Sequence, residues 1–413
     1  MQGLALFHQC KIVLIRGFLV FFLFSHEVEA EPKAMHEVTT LVGKNQCFSC
    51  HANDVQKERL KSTMSSTIST SKNEHGNHAY YQQTAYISSW ASNEITEYAV
   101  AKNTGRLILK QHLIHTGGAP VTLKVAPDST VVFVVNTADA SIGQYDVDKS
   151  TGDISPTNNM LATEKWPWAV TISHNGKYVF TANWLSSSVN AFRWDSGHRK
   201  LISIGSTSTA SGPWSLTLSP NDHFLYVANQ KGNTVSGYQI KTDGSLFPLP
   251  VESYPGQWPR AVAISPDGKF LCVANSASND LSIMRIDQES GALSMIQKSV
   301  KAGVRPWALV FSQDGRFLYV SNWSSGDLFV YRMDVRSGKL GIVIQKLKIG
   351  INPVAIDFDL DYTHLYVSDY TADEVKVFGV SRASGLLHLQ QSIKVAAHPR
   401  GVTFSRISNI EEK

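Results

Sequence analysis

The chain has 413 residues, of which 43% are hydrophobic and 17% are charged, and its formal net charge is +4. This length allows one large core or two domains, and the composition is that of a soluble protein. No run of lysine and arginine residues occurs, so the chain lacks the concentrated basic face that nucleic-acid binding requires. The sequence therefore argues against a nucleic-acid partner.

The first 30 residues have the pattern of a secretory signal peptide. Lys11 and Arg16 supply positive charge, residues 17–24 (GFLVFFLF) form a short apolar core, and residues 28–30 (VEA) form a cleavage site before Glu31. The apolar core is shorter than the roughly 20 residues that a membrane-spanning helix needs. We expect an exported protein, periplasmic or secreted, with no membrane span in its mature form. An uncleaved N-terminal anchor is the alternative.

The next segment, residues 31–78, contains the motif C-x-x-C-H, formed by Cys47, Cys50 and His51. This is the spacing at which c-type haem is attached through two thioethers, and the histidine then serves as an axial iron ligand. Met64 is the candidate sixth ligand. The motif therefore predicts one covalently attached haem in an exported protein.

Other interpretations of the two cysteines remain open. They could form a local disulfide, a redox-active dithiol or part of a metal site, although two cysteines and one histidine lack the fourth ligand of a structural zinc site. His75 and His78 are alternatives to the methionine as the sixth haem ligand. Cys272 stands in the strand-like sequence KFLCVAN, which indicates a small buried hydrophobic residue.

From residue 79 onward the chain repeats with a period of 46 or 47 residues. A proline begins each repeat: Pro120, Pro167, Pro213, Pro259, Pro306, Pro353 and Pro399. A second position holds Asn136, Asn183, Asn229, Asn275, Asn322 and finally Asp369. A fixed period in this range predicts a solenoid or a propeller.

Each repeat contains four short apolar runs, such as SLTLS, FLYVAN and TVSGYQI, separated by turn residues such as Asp243 and Gly244. Four antiparallel strands per repeat are typical of a propeller blade. The first repeat lacks its proline-led strand, and the C-terminal stretch HPRGVTFS supplies it. We predict an all-β, seven-bladed β-propeller over residues 79–407, closed by pairing of N- and C-terminal strands, and a tail at 408–413.

The FLYVAN run, with SPDG-type turns before it and GxL after it, resembles the YVTN-type repeats. It is most similar to the seven-bladed lactonase family, which includes the propeller-type phosphogluconolactonases. This resemblance covers residues 79–407 and implies a lactonase-type hydrolase. Members of the family tend to place a histidine after Pro-Arg at the start of inner strands, whereas this chain has Ala261 and Gly401 there.

Eight of the nine tryptophans flank the repeat's proline or follow its second strand, and only Trp194 lies elsewhere. In a propeller these positions meet around the central channel. In this chain arginines occupy the same ring of positions as the tryptophans. Aromatic walls with a few cations suit a small ligand that has an apolar or sugar-like face and a negative group. Packing between blades is the alternative role for each tryptophan. The candidate ligand-binding residues are Trp168, Trp214, Arg260, Arg305, Trp307, His398 and Arg400.

No catalytic base is evident from the sequence. Asp369 is the clearest carboxylate near the channel, and Asp357, Asp359 and Asp361 alternate in IDFDLDY. Three functions therefore stay open. They are a lactonase-like propeller that binds a small ligand, with or without hydrolysing it, a haem-bearing redox protein that docks a redox partner, and a propeller that serves as a protein-interaction platform.

Overall fold

The computed structural model describes residues 14–15, 18–19, 81–250 and 253–408. Near the N-terminus, β1 (Leu14–Ile15) pairs antiparallel with β2 (Phe18–Leu19). The predicted haem-attachment residues Cys47, Cys50 and His51 and the predicted iron ligand Met64 lie outside the described residues. So do the predicted cleavage site and the alternative ligands at 75 and 78.

The remaining strands form seven four-stranded antiparallel sheets, the blades. The blades are numbered in chain order, and the strands of each blade are given from the channel outward. Blade 1 is β30 (Pro399–Arg406), β3 (Tyr81–Ser89), β4 (Glu94–Ala101) and β5 (Leu107–His115). Blade 2 is β6 (Pro120–Val125), β7 (Val131–Asn136), β8 (Ser141–Val147) and β9 (Ile154–Ala162). Blade 3 is β10 (Pro167–Ile172), β11 (Tyr178–Asn183), β12 (Ser188–Asp195) and β13 (Lys200–Ser208).

The other blades follow the same order. Blade 4 is β14 (Pro213–Leu218), β15 (Phe224–Asn229), β16 (Thr234–Ile240) and β17 (Leu246–Pro248). Blade 5 is β18 (Pro259–Ile264), β19 (Phe270–Asn275), β20 (Asp280–Ile286) and β21 (Leu293–Lys301). Blade 6 is β22 (Pro306–Phe311), β23 (Phe317–Asn322), β24 (Asp327–Met333) and β25 (Leu340–Lys348), and blade 7 is β26 (Pro353–Phe358), β27 (His364–Asp369), β28 (Glu374–Val380) and β29 (Leu387–Lys394).

The proline-led strand is the innermost strand of every blade, and these strands contact one another around the channel. The second strands, such as β15 and β19, are buried along their whole length because neighbouring blades cover both of their faces. This explains why they are almost continuously apolar. Cys272 lies on β19 and is fully buried, and its burial raises the pKa of its thiol above the ordinary value.

Strand β30 closes the ring, as the sequence predicted. It pairs antiparallel with β3, with Thr403 opposite Tyr86 and Gly401 opposite Ser88. Blade 1 therefore contains strands from both ends of the described propeller. The prediction of an all-β, seven-bladed propeller closed by N- and C-terminal strands is confirmed.

A recurrent hydrogen bond joins successive blades. The hydroxyl group of a tyrosine on a second strand donates to the carbonyl group of a glycine in the outer turn of the following blade. Tyr226 donates to Gly291 at 2.7 Å, and Tyr319 donates to Gly385 at 2.9 Å. Each tyrosine side chain is buried, so these bonds form away from water between sheets that share no strand.

No helix in the described part of the chain is long and apolar enough to cross a membrane.

Candidate functional site

A β-bulge at the start of the inner strands directs one side chain per blade toward the mouth of the channel. In β10, for example, Pro167 pairs with Asn183 and Ala169 pairs with Ala182, so that Trp168 is left without a partner. Bulges re-aim side chains in this way. The residues at this bulged position are Trp168, Trp214, Arg260, Trp307, Val354 and Arg400.

The guanidinium group of Arg260 lies between two indole rings of neighbouring blades. Its central carbon is 4.2 Å from the ring centroid of Trp214 and 3.9 Å from that of Trp307. A planar guanidinium group stacks favourably on aromatic faces. The two tryptophans therefore fix the cation of blade 5 in the channel mouth.

Arg400 is held in a similar way on the opposite side of the mouth. Its guanidinium carbon lies 4.2 Å from the ring centroid of Tyr370 and 5.4 Å from that of Trp168. Burial lowers the pKa of Arg400, although the neighbouring tyrosine opposes this shift. Among the described residues no carboxylate forms an ion pair with Arg400, and its buried Nε atom has no hydrogen-bond partner. Arg400 is thus a partly buried cation without a counter-charge from the described part of the chain.

Aromatic rings form a nearly continuous arc around this mouth. Trp168 and Trp214 are 4.2 Å apart between centroids, and Trp214 meets Trp307 edge-on at 5.7 Å. Trp307 stacks on Trp323 at 4.4 Å, and Trp323 lies 5.7 Å from Tyr370. In the part of the chain that the structure describes, the indole N–H groups of the three bulged tryptophans donate to no protein acceptor. They remain available to a ligand.

The predicted residue His398 belongs to this arc but does not line the channel below it. Its ring stacks on Tyr370 at 4.2 Å and lies 6.3 Å from Trp90. Its backbone is left-handed, with φ of 57°, and its carbonyl group accepts a hydrogen bond from the backbone N–H of Trp90. His398 therefore extends the aromatic arc from Tyr370 toward Trp90.

Arg305 is not brought into the channel. It precedes Pro306, has a left-handed backbone with φ of 56°, and its backbone N–H donates to Asn279. The residues that line the channel cavity include Trp168, Trp214, Arg260, Trp307 and Arg400 but not Arg305 or His398. Five of the seven predicted ligand-binding residues are thus brought together around one cavity.

Small side chains leave space beneath the aromatic mouth. The second residue after each blade's proline lines the channel, and its side chain is small in all seven blades. These residues are Thr122, Ala169, Ser215, Ala261, Ala308, Ala355 and Gly401. The cavity that they line has a volume of about 220 Å³, which is sufficient for a small organic ligand.

An ion pair that the sequence reasoning missed lies deeper in the channel. Lys124 of β6 and Asp357 of β26 meet at 3.0 Å, although blade 1 lies between their blades. The carboxylate raises the pKa of Lys124 despite the opposing effect of burial. Both residues line the cavity, and Asp357 is the one carboxylate among the described lining residues. The signal in the sequence was a charge at a position where the other blades have Thr171, Thr217, Ala263, Val310 and Thr403.

The other candidate carboxylates have structural roles. Asp369 is fully buried and accepts hydrogen bonds from the backbone N–H groups of Ile351 and Asn352 at 2.6 and 3.0 Å. Asp359 pairs with His364 at 2.8 Å, and Asp361 with Arg406 at 3.3 Å. None of the three lines the channel cavity. No cluster of three or more metal-ligating side chains occurs within residues 81–250 and 253–408.

Comparisons with known proteins agree with this architecture. The sequence profile described as "Lactonase, 7-bladed beta-propeller" matches residues 61–166, 84–213, 157–252, 204–311 and 305–404. A search of curated protein sequences gives no significant match.

Solved structures of similar fold include a "putative 6-phosphogluconolactonase" from Bacteroides uniformis, with a TM-score of 0.72 and 19% identity over 79% of this chain and 100% of that one. A protein of the same description from Bacteroides fragilis has a TM-score of 0.71 and 21% identity, over 79% and 99% of the two chains. The periplasmic gluconolactonase of Pseudomonas aeruginosa has a TM-score of 0.69 and 22% identity, also over 79% and 99%. At these identities the likeness concerns the fold.

Proposed function

The chain belongs to the lactonase family of seven-bladed β-propellers, and on that premise we propose that its channel mouth binds a small sugar acid or the corresponding lactone. The observation that carries this proposal is Arg400, a partly buried cation that no described carboxylate neutralises. A carboxylate or phosphate group of a ligand would supply the missing counter-charge. The aromatic arc would contact the apolar face of a sugar ring, and the indole N–H groups would donate to its hydroxyl groups.

Hydrolysis of a lactone would need a group that activates water and donors that stabilise the oxyanion. The arginines and indoles supply donors. Asp357 is the available carboxylate in the described channel, but it is paired with Lys124. We therefore propose ligand binding at this site, and hydrolysis of a lactone is the activity that should be tested there.

Titration calorimetry with gluconate, galacturonate and 6-phosphogluconate tests the binding proposal, and a pH-stat assay with glucono-δ-lactone tests turnover. Arg400→Ala should weaken binding of these anions by about 10- to 100-fold, the effect of losing a hydrogen bond to a charged group. Arg305→Ala is the matched control, because that arginine does not line the cavity. Absence of binding and of turnover with the intact protein would refute the proposal.

A second candidate function follows from Cys47, Cys50 and His51. We propose that, if these residues carry a c-type haem, the protein acts as an exported redox module whose propeller docks a partner. The chemistry of the motif supports this: two thiols at the attachment spacing and a histidine that can ligate iron. Its test is the absorption spectrum and intact mass of protein that is produced with haem-attachment machinery.

A further inference from the structure

The aromatic and charged rim of the channel is interrupted at a single blade. Three positions per blade border the mouth, of which only the bulged residue lines the cavity: the residue before the proline, the bulged residue after it, and the residue after the second strand. In blade 2 these are Ala119, Val121 and Thr137, so at these positions this blade alone contributes neither a ring nor a charge. Its nearest charge is the exposed carboxylate of Asp139, which accepts a hydrogen bond from the backbone N–H of Gly118. We call this interruption the blade 2 notch.

A second aromatic group stands directly beside the notch, in blade 3. The indole rings of Trp166 and Trp184 stack with centroids 5.4 Å apart and an interplanar angle of 22°. The ammonium group of Lys231 lies 4.2 Å from the ring centroid of Trp184, whose N–H donates to Gln230 at 2.8 Å. We call Trp166, Trp184 and Lys231 the outer aromatic site.

Trp166 has no evident structural reason to be a tryptophan. Its left-handed backbone, with φ of 58°, belongs to the repeat and does not require a tryptophan. The residues that share this conformation before the proline of other blades are Ala119, Gly212, Trp258, Arg305 and His398. The side chain of Trp166 is partly exposed, and its indole N–H donates to no acceptor in the described chain.

The outer aromatic site and the channel are close enough to share one ligand. Trp166 and Trp168 flank Pro167, so that their Cα atoms are at most about 7 Å apart. One side chain faces the channel and the other stacks outward on Trp184. The hydroxyl group of Thr137, in the notch, donates to the carbonyl group of Pro167 at 2.8 Å, which places the notch against both tryptophans.

From this arrangement we infer that the ligand is longer than one sugar. We propose that an acidic sugar occupies the channel, and that at least one further pyranose ring leaves through the blade 2 notch and stacks on Trp166. This inference rests on the proposed function and specifies its substrate class as an acidic oligosaccharide.

The probes are galacturonic acid and its linear dimer and trimer, titrated calorimetrically into the full-length protein. We expect the dimer to bind about tenfold or more tightly than the monomer, as a stacked second ring should allow. Trp166→Ala should reduce dimer affinity to that of the monomer and leave monomer affinity unchanged. Ala138→Trp, at the exposed position that follows Thr137 of the notch, should have the same effect by filling the exit.

Phe247→Ala is the matched control. Phe247 is an exposed ring with the ammonium group of Lys241 at 4.7 Å from its centroid, but it lies on the outer strand β17. The gain from monomer to dimer should survive in this variant. Thermal melting of each variant separates loss of the site from loss of the fold.

The outcomes distinguish this inference from the proposed function. Monomer binding with no gain for the dimer, or a gain that persists in folded Trp166→Ala, would overturn the oligosaccharide inference and leave the channel site standing. Absence of binding by all three uronides, together with the sugar acids tested above, would overturn both.

Discussion

Tyr366 of blade 7 donates a hydrogen bond of 2.6 Å to the carbonyl oxygen of Gly105 in blade 1, although the two residues are 261 positions apart in the chain. It is the same tyrosine-to-glycine hydrogen bond that joins successive blades elsewhere, and here it joins the last blade to the first. The tyrosine is fully buried. Neither group can therefore exchange its partner for water while the ring stays closed.

Replacing this tyrosine by phenylalanine should lower the free energy of unfolding by about 1–3 kcal/mol, because the carbonyl group of Gly105 would stay buried without its donor. The matched control is Tyr178→Phe, which removes an exposed bond to the carbonyl group of Thr242. We expect it to cost about 0.5 kcal/mol or less. Urea denaturation measures both, and equal losses in the two variants would contradict the argument.

Removing residues 398–413 should open the ring. The deletion takes away β30, so that β3 loses its inner neighbour and the inner strands β26 and β6 lose the strand between them. We expect the single cooperative transition to be lost in differential scanning calorimetry. A truncated protein that melts like the full chain would show that the closing strand is dispensable.

The guanidinium group of Arg260 should not be replaceable by an ammonium group. Arg260→Lys retains the charge but loses the planar stack between Trp214 and Trp307, and we expect about a tenfold loss in affinity for gluconate or galacturonate. Arg285→Lys is the control, because Arg285 stacks at 5.1 Å on Phe270 away from the cavity. Wild-type affinity in Arg260→Lys would mean that charge alone matters there.

Blade 7 should make the propeller sensitive to acid. Blades 4, 5 and 6 have the pattern Ser-x4-Phe, in which the phenylalanine begins the second strand, whereas blade 7 has Asp359 and His364 at these positions, both buried. Burial raises the pKa of Asp359, but hydrogen bonds from His364 and Thr363 outweigh it and leave the pKa below its ordinary value. The resulting stability is present above the ordinary carboxyl pKa of about 4 and is lost as the pH falls through the lowered value.

The double variant Asp359→Ser, His364→Phe restores the pattern of the other blades and should remove this dependence. Its stability at pH 7 should equal or exceed that of the wild type, because a buried polar pair is replaced by a well-packed ring. Urea denaturation between pH 6 and 3 (a range that spans the ordinary carboxyl pKa) measures the difference. Parallel losses of stability in the two proteins would exclude the pair as the cause.

The haem hypothesis makes a separate prediction. Protein produced with haem-attachment machinery should show a covalently bound haem that survives denaturation, and Cys47→Ser, Cys50→Ser should lack it. A single Cys272→Ser variant is the control, since Cys272 is buried in blade 5. A colourless product at the apo mass would leave a disulfide as the better interpretation of the motif.

Sequence periodicity predicted the blades, their strand order and the closing strand, because each blade repeats the same burial pattern. It did not show which of the two residues that flank the proline lines the channel cavity. Trp168 and Arg400 follow a proline and reach the channel through the bulge, whereas Arg305 and His398 precede one in left-handed backbone and do not line the cavity. Register shifts of this kind depend on backbone hydrogen bonds that composition does not reveal.

The ion pair at the channel could not be predicted for a different reason. Lys124 and Asp357 come from blades that are not neighbours, and each looks like an isolated charge within its own repeat. Their contact follows from the curvature of the closed ring. A comparison of equivalent positions across the blades would have marked both residues as exceptions, but not as partners.

The pairing of β3 with β30 also sets an order of events during biosynthesis. Tyr86 meets Ser405 across blade 1, at a separation of 319 residues. Because domains are made from the N-terminus onward, the ribosome must add almost the whole propeller before β3 gains its inner neighbour. Until then, β3 presents an open strand edge of the kind that attracts other chains. The nascent protein is therefore exposed to edge-to-edge pairing with other chains during the interval between the synthesis of its first blade strand and its last.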